Sequence, residues 1–238
     1  MKFCSIIVCH YAQVGDNGDR EGNITSRSEL MKESLKSLVE TVDYPAELIV
    51  VDNGGNPDDS DYLLDLLRKG WINTLIRNKE NMHFGFAWNQ GAKLASGDYL
   101  CFTCNDMIYE PKWLSTTVGL LERYSSIKLI ATPYVTIAHK KYKLGEVDGN
   151  RLNLRAGSAC MIITPETYRE IGVFQNHRIA GTLWHDRMIG LGYRVIAPPT
   201  NMAREEAFRH GSDYRIPIKV KKTLIKGEEI DLSDEPTT

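Results

Sequence analysis

Short apolar runs alternate along this chain with stretches whose apolar residues recur at helical spacing, and that alternation leaves few folds open. Residues 3–8 read as a buried strand. A polar, glycine-rich loop follows at 15–23. Ser26-Arg27-Ser28-Glu29 then forms a capping box, in which the Ser26 hydroxyl serves an orphan N–H and Glu29 reaches back. Leu30, Met31, Leu35, Leu38 and Val39 carry the helical period behind it, and Tyr44-Pro45 ends that helix. Further strands are expected at 47–51, 72–76, 99–103, 128–132, 159–163 and 193–197. Further helices are expected at 58–69, 84–95, 111–124 and 184–191, with a short one opening at Pro165. Residues 134–155 have no clear period and read as an irregular excursion, and the chain from Arg215 reads as a tail, basic and then acidic. Strands alternating with helices predict one α/β domain, a mainly parallel central sheet with helices on both faces. Ligands of such sheets bind at the carboxyl ends of the strands.

Composition narrows the function classes. With 42% hydrophobic and 25% charged residues the chain is globular rather than disordered. A formal net charge of −2 gives no general pull toward nucleic acid or anionic membrane, so a nucleic-acid acceptor would require a local basic patch. Five scattered cysteines argue against a disulfide framework and for reduced thiols in a cytoplasmic protein. Cys101-x-x-Cys104 has no second pair to complete a zinc site. No apolar run approaches the roughly 18 residues of a membrane span, so membrane contact is expected to be peripheral, at the inner face.

Three strand ends deliver polar groups to one rim: Cys9-His10-Tyr11, Asp52-Asn53-Gly54-Gly55 and Cys104-Asn105-Asp106. No Walker loop and no G-x-G-x-x-G is present, which removes the common phosphate-loop and dinucleotide readings. A carboxylate at a strand end can accept from a base N–H or ribose hydroxyl, or bind a hard divalent cation. Asp52 and Asp106 are equally suited to simple turn chemistry.

The order of these segments resembles the family 2 glycosyltransferases of the GT-A fold. The resemblance starts with residues 5–11 and 48–55 as the opening strands. Residues 81–91 are similar to the family's N-x-G-x-x-x-A-x-N-x-G, matched by Asn81, Ala87, Asn89 and Gly91, with His83 in place of the usual glycine and Trp88 where arginine is common. Residues 157–163 resemble the acceptor-side strand, and His210-Gly211 the late histidine segment. The family's D-x-D metal motif appears as Cys104-Asn105-Asp106, with only the last acid kept, and its E-D-x-D segment is replaced by Trp184-His185-Asp186-Arg187.

The resemblance implies an inverting, metal-dependent transfer of a sugar from a UDP-, GDP- or dTDP-sugar to a carbohydrate or lipid-linked acceptor, as in polysaccharide biosynthesis. Residues 1–214 would be the catalytic domain, divided into a nucleotide half to 106 and an acceptor half from 107, with 215–238 as the tail. Asp52 would bind the base, with His10, Tyr11, Asn53, Asn81, Asn89 and Asn105 around the nucleotide. Asp106, with His210, would hold Mn²⁺ or Mg²⁺. A neutral Cys104 thiol is a poor ligand for such an ion. Asp186, near the start of a short helix whose dipole favours its charge, would be the general base, with His185 the alternative. Trp113, Trp184 and Tyr109 can stack on sugar rings, although such aromatics are more often core or rim residues. Two other functions compete: a non-catalytic nucleotide-sugar binding module, suggested by Cys104 and the missing acids, and a nucleotidylyltransferase, disfavoured because the early loop offers only Arg20 to a triphosphate.

Overall fold

A strand buried on both faces carries apolar residues without interruption, and β1 (Cys4–His10) is buried at all seven positions. In the computed structural model, which describes residues 1–12, 27–135, 142–155, 157–177 and 180–206 and the backbone of 223–225 and 228–230, this strand lies near the centre of the main sheet. The chain continues through α1 (Arg27–Thr41), β2 (Ala46–Asp52), α2 (Pro57–Arg68), β3 (Thr74–Arg77), α3 (His83–Leu94), β4 (Tyr99–Cys104), β5 (Met107–Tyr109), α4 (Trp113–Arg123) and β6 (Leu129–Ala131). It then forms β7 (Lys143–Val147), β8 (Asn150–Asn153), β9 (Cys160–Ile163), α5 (Pro165–Ile171), α6 (Ala180–Gly190), β10 (Arg194–Ala197), β11 (Ala203–Glu205), β12 (Thr223–Ile225) and β13 (Glu228–Ile230).

Nine strands form one sheet in the order β3-β2-β1-β4-β9-β6-β10-β8-β7. Helices cover both faces, as the alternating sequence pattern requires. Cys4, Ile6 and Val8 of β1 pack with α1, α2 and α4, while Ile7 and Cys9 pack on the opposite side with α3, α5 and α6. The parallel pairing is confined to β3-β2-β1-β4 and to β6-β10. β9 enters antiparallel between β4 and β6, so the second half of the sheet is mixed rather than mainly parallel.

Local chemistry accounts for most boundaries. Asn56 caps α2 by accepting from the Asp58 N–H, with Pro57 at the first helical position, and Thr164 with Pro165 does the same for α5. α4 starts two residues after Pro111, because Lys112 adopts φ 67 outside the helical region. The stretch expected to be irregular contains the β7–β8 hairpin, closed by Asp148 and Gly149 at φ 48 and φ 77. Two central residues at positive φ match the twist of a tight hairpin. The β5–β11 pair, three residues to a strand, is too short to show a period in the sequence, and β12 pairs with β13 within the expected tail. Ser26 lies outside the described residues.

Candidate active site

Strand register builds the rim. Along β1–β2, His10 stands beside Asp52; along β2–β3, Asp52 stands beside Arg77; along β1–β4, Cys9 stands beside Cys104, which leads into Asn105-Asp106. The turn after Asp52 is tight for a steric reason: Gly54 sits at φ 78, and a Cβ there would lie 2.6 Å from the Glu80 backbone.

Asp52 is 2% exposed. Its Oδ2 accepts from the Ser60 hydroxyl and lies 3.6 Å from Arg77 Nε. Its Oδ1 is buried with no hydrogen-bond partner among the described residues. A buried carboxylate oxygen left without a donor costs about 1–3 kcal/mol, so this atom is poised to accept one more hydrogen bond.

His10 is fully buried and turned into the protein. Asn105 Nδ2 donates to its Nδ1 at 2.8 Å, which places the ring proton on Nε2, 3.0 Å from Asp59 Oδ2. The Ser28 hydroxyl donates to the same oxygen at 2.8 Å. Burial opposes ionisation of Asp59, but the hydrogen bonds from His10 and Ser28 outweigh it and hold the carboxyl below its usual range. The side chain of His10 therefore positions Asn105, and its backbone carbonyl accepts from Asn53 N–H at 2.8 Å. Tyr11 follows, half-buried.

Three asparagines expected around the nucleotide are committed to protein partners. Asn53 donates to Asn81 Oδ1 at 3.0 Å and accepts from Asn78 and from the Met82 N–H, while Asn81 Oδ1 also accepts from the His83 N–H at 2.9 Å. These bonds tie the β2 turn to the start of α3. Asn89 donates to Phe174 O at 2.7 Å and accepts from Tyr168 and Phe174 N–H, fastening α3 to the segment after α5.

Asp106 is 8% exposed, and its Oδ1 also lacks a hydrogen-bond partner among the described residues. Burial raises its carboxyl above the usual range, with Arg27 opposing. Beside it stands an acid that the sequence reading left out. β11 pairs antiparallel with β5, which sets Glu205 opposite Met107, and the Glu206 N–H donates to Asp106 O at 2.9 Å. Burial, and then the charge of Asp106, pushes Glu205 up to about 8, against the Tyr134 hydroxyl at 3.5 Å. No motif marks Glu205 in the sequence; only the strand pairing brings it in. Burial and the neighbouring acids raise the Cys104 thiol well above its usual range and keep it neutral.

Among the described residues no group of three His, Cys, Asp or Glu side chains is arranged to hold a metal ion. His210 lies outside them.

Later in the chain, α6 begins at Ala180, so Asp186 is its seventh residue and the helix-start argument for its charge does not apply. Its partner is instead Arg155, whose Nη2 contacts Asp186 Oδ1 in a largely buried ion pair. His185 is buried, with Nδ1 2.8 Å from Gly181 O. Trp113 and Trp184 are corrected from acceptor platforms to core residues: both are 0% exposed. Trp113 packs on Tyr109 at 4.4 Å between centroids; Trp184 stacks on Phe174 at 5.0 Å and donates to Gly172 O at 2.8 Å.

Comparison with known proteins converges on the same architecture. The model of the family described as Glycosyl transferase family 2 matches residues 24–161. An uncharacterized glycosyltransferase of Haemophilus influenzae is 24% identical over 155 residues, covering 62% of this chain and 44% of the relative. Among solved structures, GalNAc-T7 with UDP, GalNAc and Mn²⁺ has a TM-score of 0.63 at 13% identity, over 86% of this chain and 43% of that one. The Pyrobaculum calidifontis mannosyltransferase PcManGT with GDP-Man and Mn²⁺ has a TM-score of 0.60 at 18% identity, over 82% and 54%. S. aureus TarS 1-349 has a TM-score of 0.57 at 18% identity, over 83% and 60%. The structural likenesses, at these identities, show the fold, a mixed α/β sheet flanked by helices, and the chain spans about half the length of the relatives it matches. The family match covers more than half of the sequence, and the chain belongs to glycosyl transferase family 2.

Proposed function

We propose that this chain transfers a sugar from a nucleoside-diphosphate donor to an acceptor hydroxyl, with inversion at the anomeric carbon. The observation that carries this reading is the pair of buried carboxylate oxygens, Asp52 Oδ1 and Asp106 Oδ1, both without hydrogen-bond partners among the described residues at the carboxyl ends of parallel strands. Asp52 Oδ1 accepts a base N–H. Asp106 fits a hard divalent cation, Mn²⁺ or Mg²⁺, which commonly takes one or two carboxylates together with substrate phosphates. The neighbours solved with UDP, GalNAc and Mn²⁺ and with GDP-Man and Mn²⁺ support a nucleotide donor and a manganese ion. Lewis-acid stabilisation of the departing nucleoside diphosphate is the chemistry a bound cation supplies there.

In the transfer, the acceptor oxygen attacks the anomeric carbon, the bond from that carbon to the diphosphate oxygen breaks, and the acceptor proton passes to Asp186. One positioned base suffices for inversion. Arg155 fixes the Asp186 carboxylate, and His185, with Nδ1 engaged at Gly181 O, is the weaker candidate. The acceptor in this reading is a carbohydrate or lipid-linked glycan of polysaccharide biosynthesis, met in the cytoplasm at the membrane face. Among the described residues no helix is long and apolar enough to cross a membrane.

The test is a thermal-shift screen of UDP-, GDP- and dTDP-sugars with and without Mn²⁺, followed by assay of released nucleoside diphosphate. At least one donor should raise the melting temperature in a Mn²⁺-dependent way. Asp52→Asn should weaken donor binding by about 1–3 kcal/mol, and Asp106→Asn should abolish turnover. Full turnover in Asp106→Asn would remove the cation site from that residue. Binding without release of nucleoside diphosphate would favour the non-catalytic module, the reading that the neutral Cys104 at the first acid position supports.

A further inference from the structure

We infer that Glu205 supplies the second carboxylate of the cation–diphosphate site, in place of the acid that Cys104 does not provide. This rests on the reading of Asp106 as the cation anchor.

Backbone geometry fixes the two acids together. The β5–β11 register and the bond from Glu206 N–H to Asp106 O, 2.9 Å, hold the Glu205 backbone beside the turn that carries Asp106. Asp106 Oδ1 is buried and takes no hydrogen bond from a described residue. Glu205 accepts only a long bond from Tyr134, 3.5 Å, and makes no ion pair among the described residues. The nearest cation in sequence, Arg204, is bound elsewhere, to Glu110 at 3.2 Å and to Glu206. Tyr134 cannot move away easily, since it is buried and a Cβ at Gly157 would already lie 2.3 Å from its hydroxyl.

Two carboxyls, Asp106 buried and Glu205 half-buried, therefore lie close enough to feel each other's charge, and Arg27 is the cation that acts on Asp106. Such a pair is unfavourable when both are charged and is relieved by a shared proton or by a metal ion. Two carboxylates with no third ligand among the described residues suit an octahedral ion that brings phosphate oxygens and waters with it. The β5–β11 pairing explains how an acid remote in sequence can stand in for the one absent from the D-x-D position.

The experiment titrates Mn²⁺ into the full chain with saturating UDP, and separately with saturating GDP, reading free Mn²⁺ by electron paramagnetic resonance. Glu205→Gln should weaken Mn²⁺ binding about 10- to 100-fold, the range seen when groups supporting a metal site are removed. Its melting temperature without metal should stay level or rise, because a like-charge contact is gone. Glu206→Gln, whose carboxylate is held by Arg204, should leave Mn²⁺ affinity within about twofold. Unchanged affinity in Glu205→Gln, with Asp106→Asn weakened, overturns the role of Glu205 and leaves the anchor intact. Unchanged affinity in both variants overturns the anchor as well. Glu205→Ala carries the same expectations and serves if the glutamine variant does not fold.

Discussion

At position 83 a histidine holds the left-handed conformation, φ 60, at the start of α3, where the family pattern has glycine. Only glycine adopts that region without steric cost, which explains the family preference and makes this departure a small strain of about 1 kcal/mol. His83→Gly should raise the unfolding free energy by up to about 1 kcal/mol, after allowing for the extra freedom of glycine in the unfolded chain. His83→Val should lower it by about 1 kcal/mol; urea unfolding of both variants checks the pair. Asp59 is the second informative residue, because its carboxylate holds His10, and through His10, Asn105. A carboxyl held below its unfolded value stabilises the fold above that value and loses the contribution as pH falls through the folded one. Asp59→Asn should therefore cost about 2 kcal/mol near neutral pH. The difference from the wild type should narrow as pH drops below about 4. A constant difference across that range would detach the effect from ionisation.

Elements differ in how openly the sequence announces them. β1, β2 and β4 are dominated by apolar residues and α2 and α5 carry caps and prolines, so composition within a few residues decides them. The β7–β8 hairpin has few apolar residues to give it a period, and its signal is the Asp148-Gly149 pair. Gly149→Val should cost about 1–2 kcal/mol, because φ 77 is strained for a branched side chain. Hydrogen exchange should quicken across 143–153 and not in β1 or β4, since the hairpin sits at the sheet edge. Equal acceleration throughout would mean that the hairpin is integral to the core. β5 and β11 belong to neither class: three residues each, they are strands only because they pair with one another.

For the whole molecule, two apolar layers clamp one sheet, and each holds a buried tryptophan that the sequence could equally assign to an acceptor surface. Trp113 Nε1 has no hydrogen-bond partner among the described residues, whereas Trp184 Nε1 donates to Gly172 O at 2.8 Å. Replacing each by phenylalanine removes similar volume, but only Trp184→Phe takes a hydrogen-bond donor from a carbonyl, that of Gly172. It should destabilise more than Trp113→Phe by about 1 kcal/mol in denaturant unfolding, and equal losses would show that the bond contributes nothing. The alternation of strands and helices, the family resemblance and the strand ends at Asp52 and Asp106 are legible from the residues, because periodicity, caps and turn residues act over a few neighbours. Tertiary structure alone decided that His10 turns inward to Asp59, that Asn89 fastens Phe174 rather than facing outward, that Asp186 meets Arg155, and that Glu205 arrives beside Asp106. Those outcomes depend on strand pairing and burial between distant segments, and a carboxylate has no local signature that tells a turn acid from a site acid until its neighbours, or their absence, are in place.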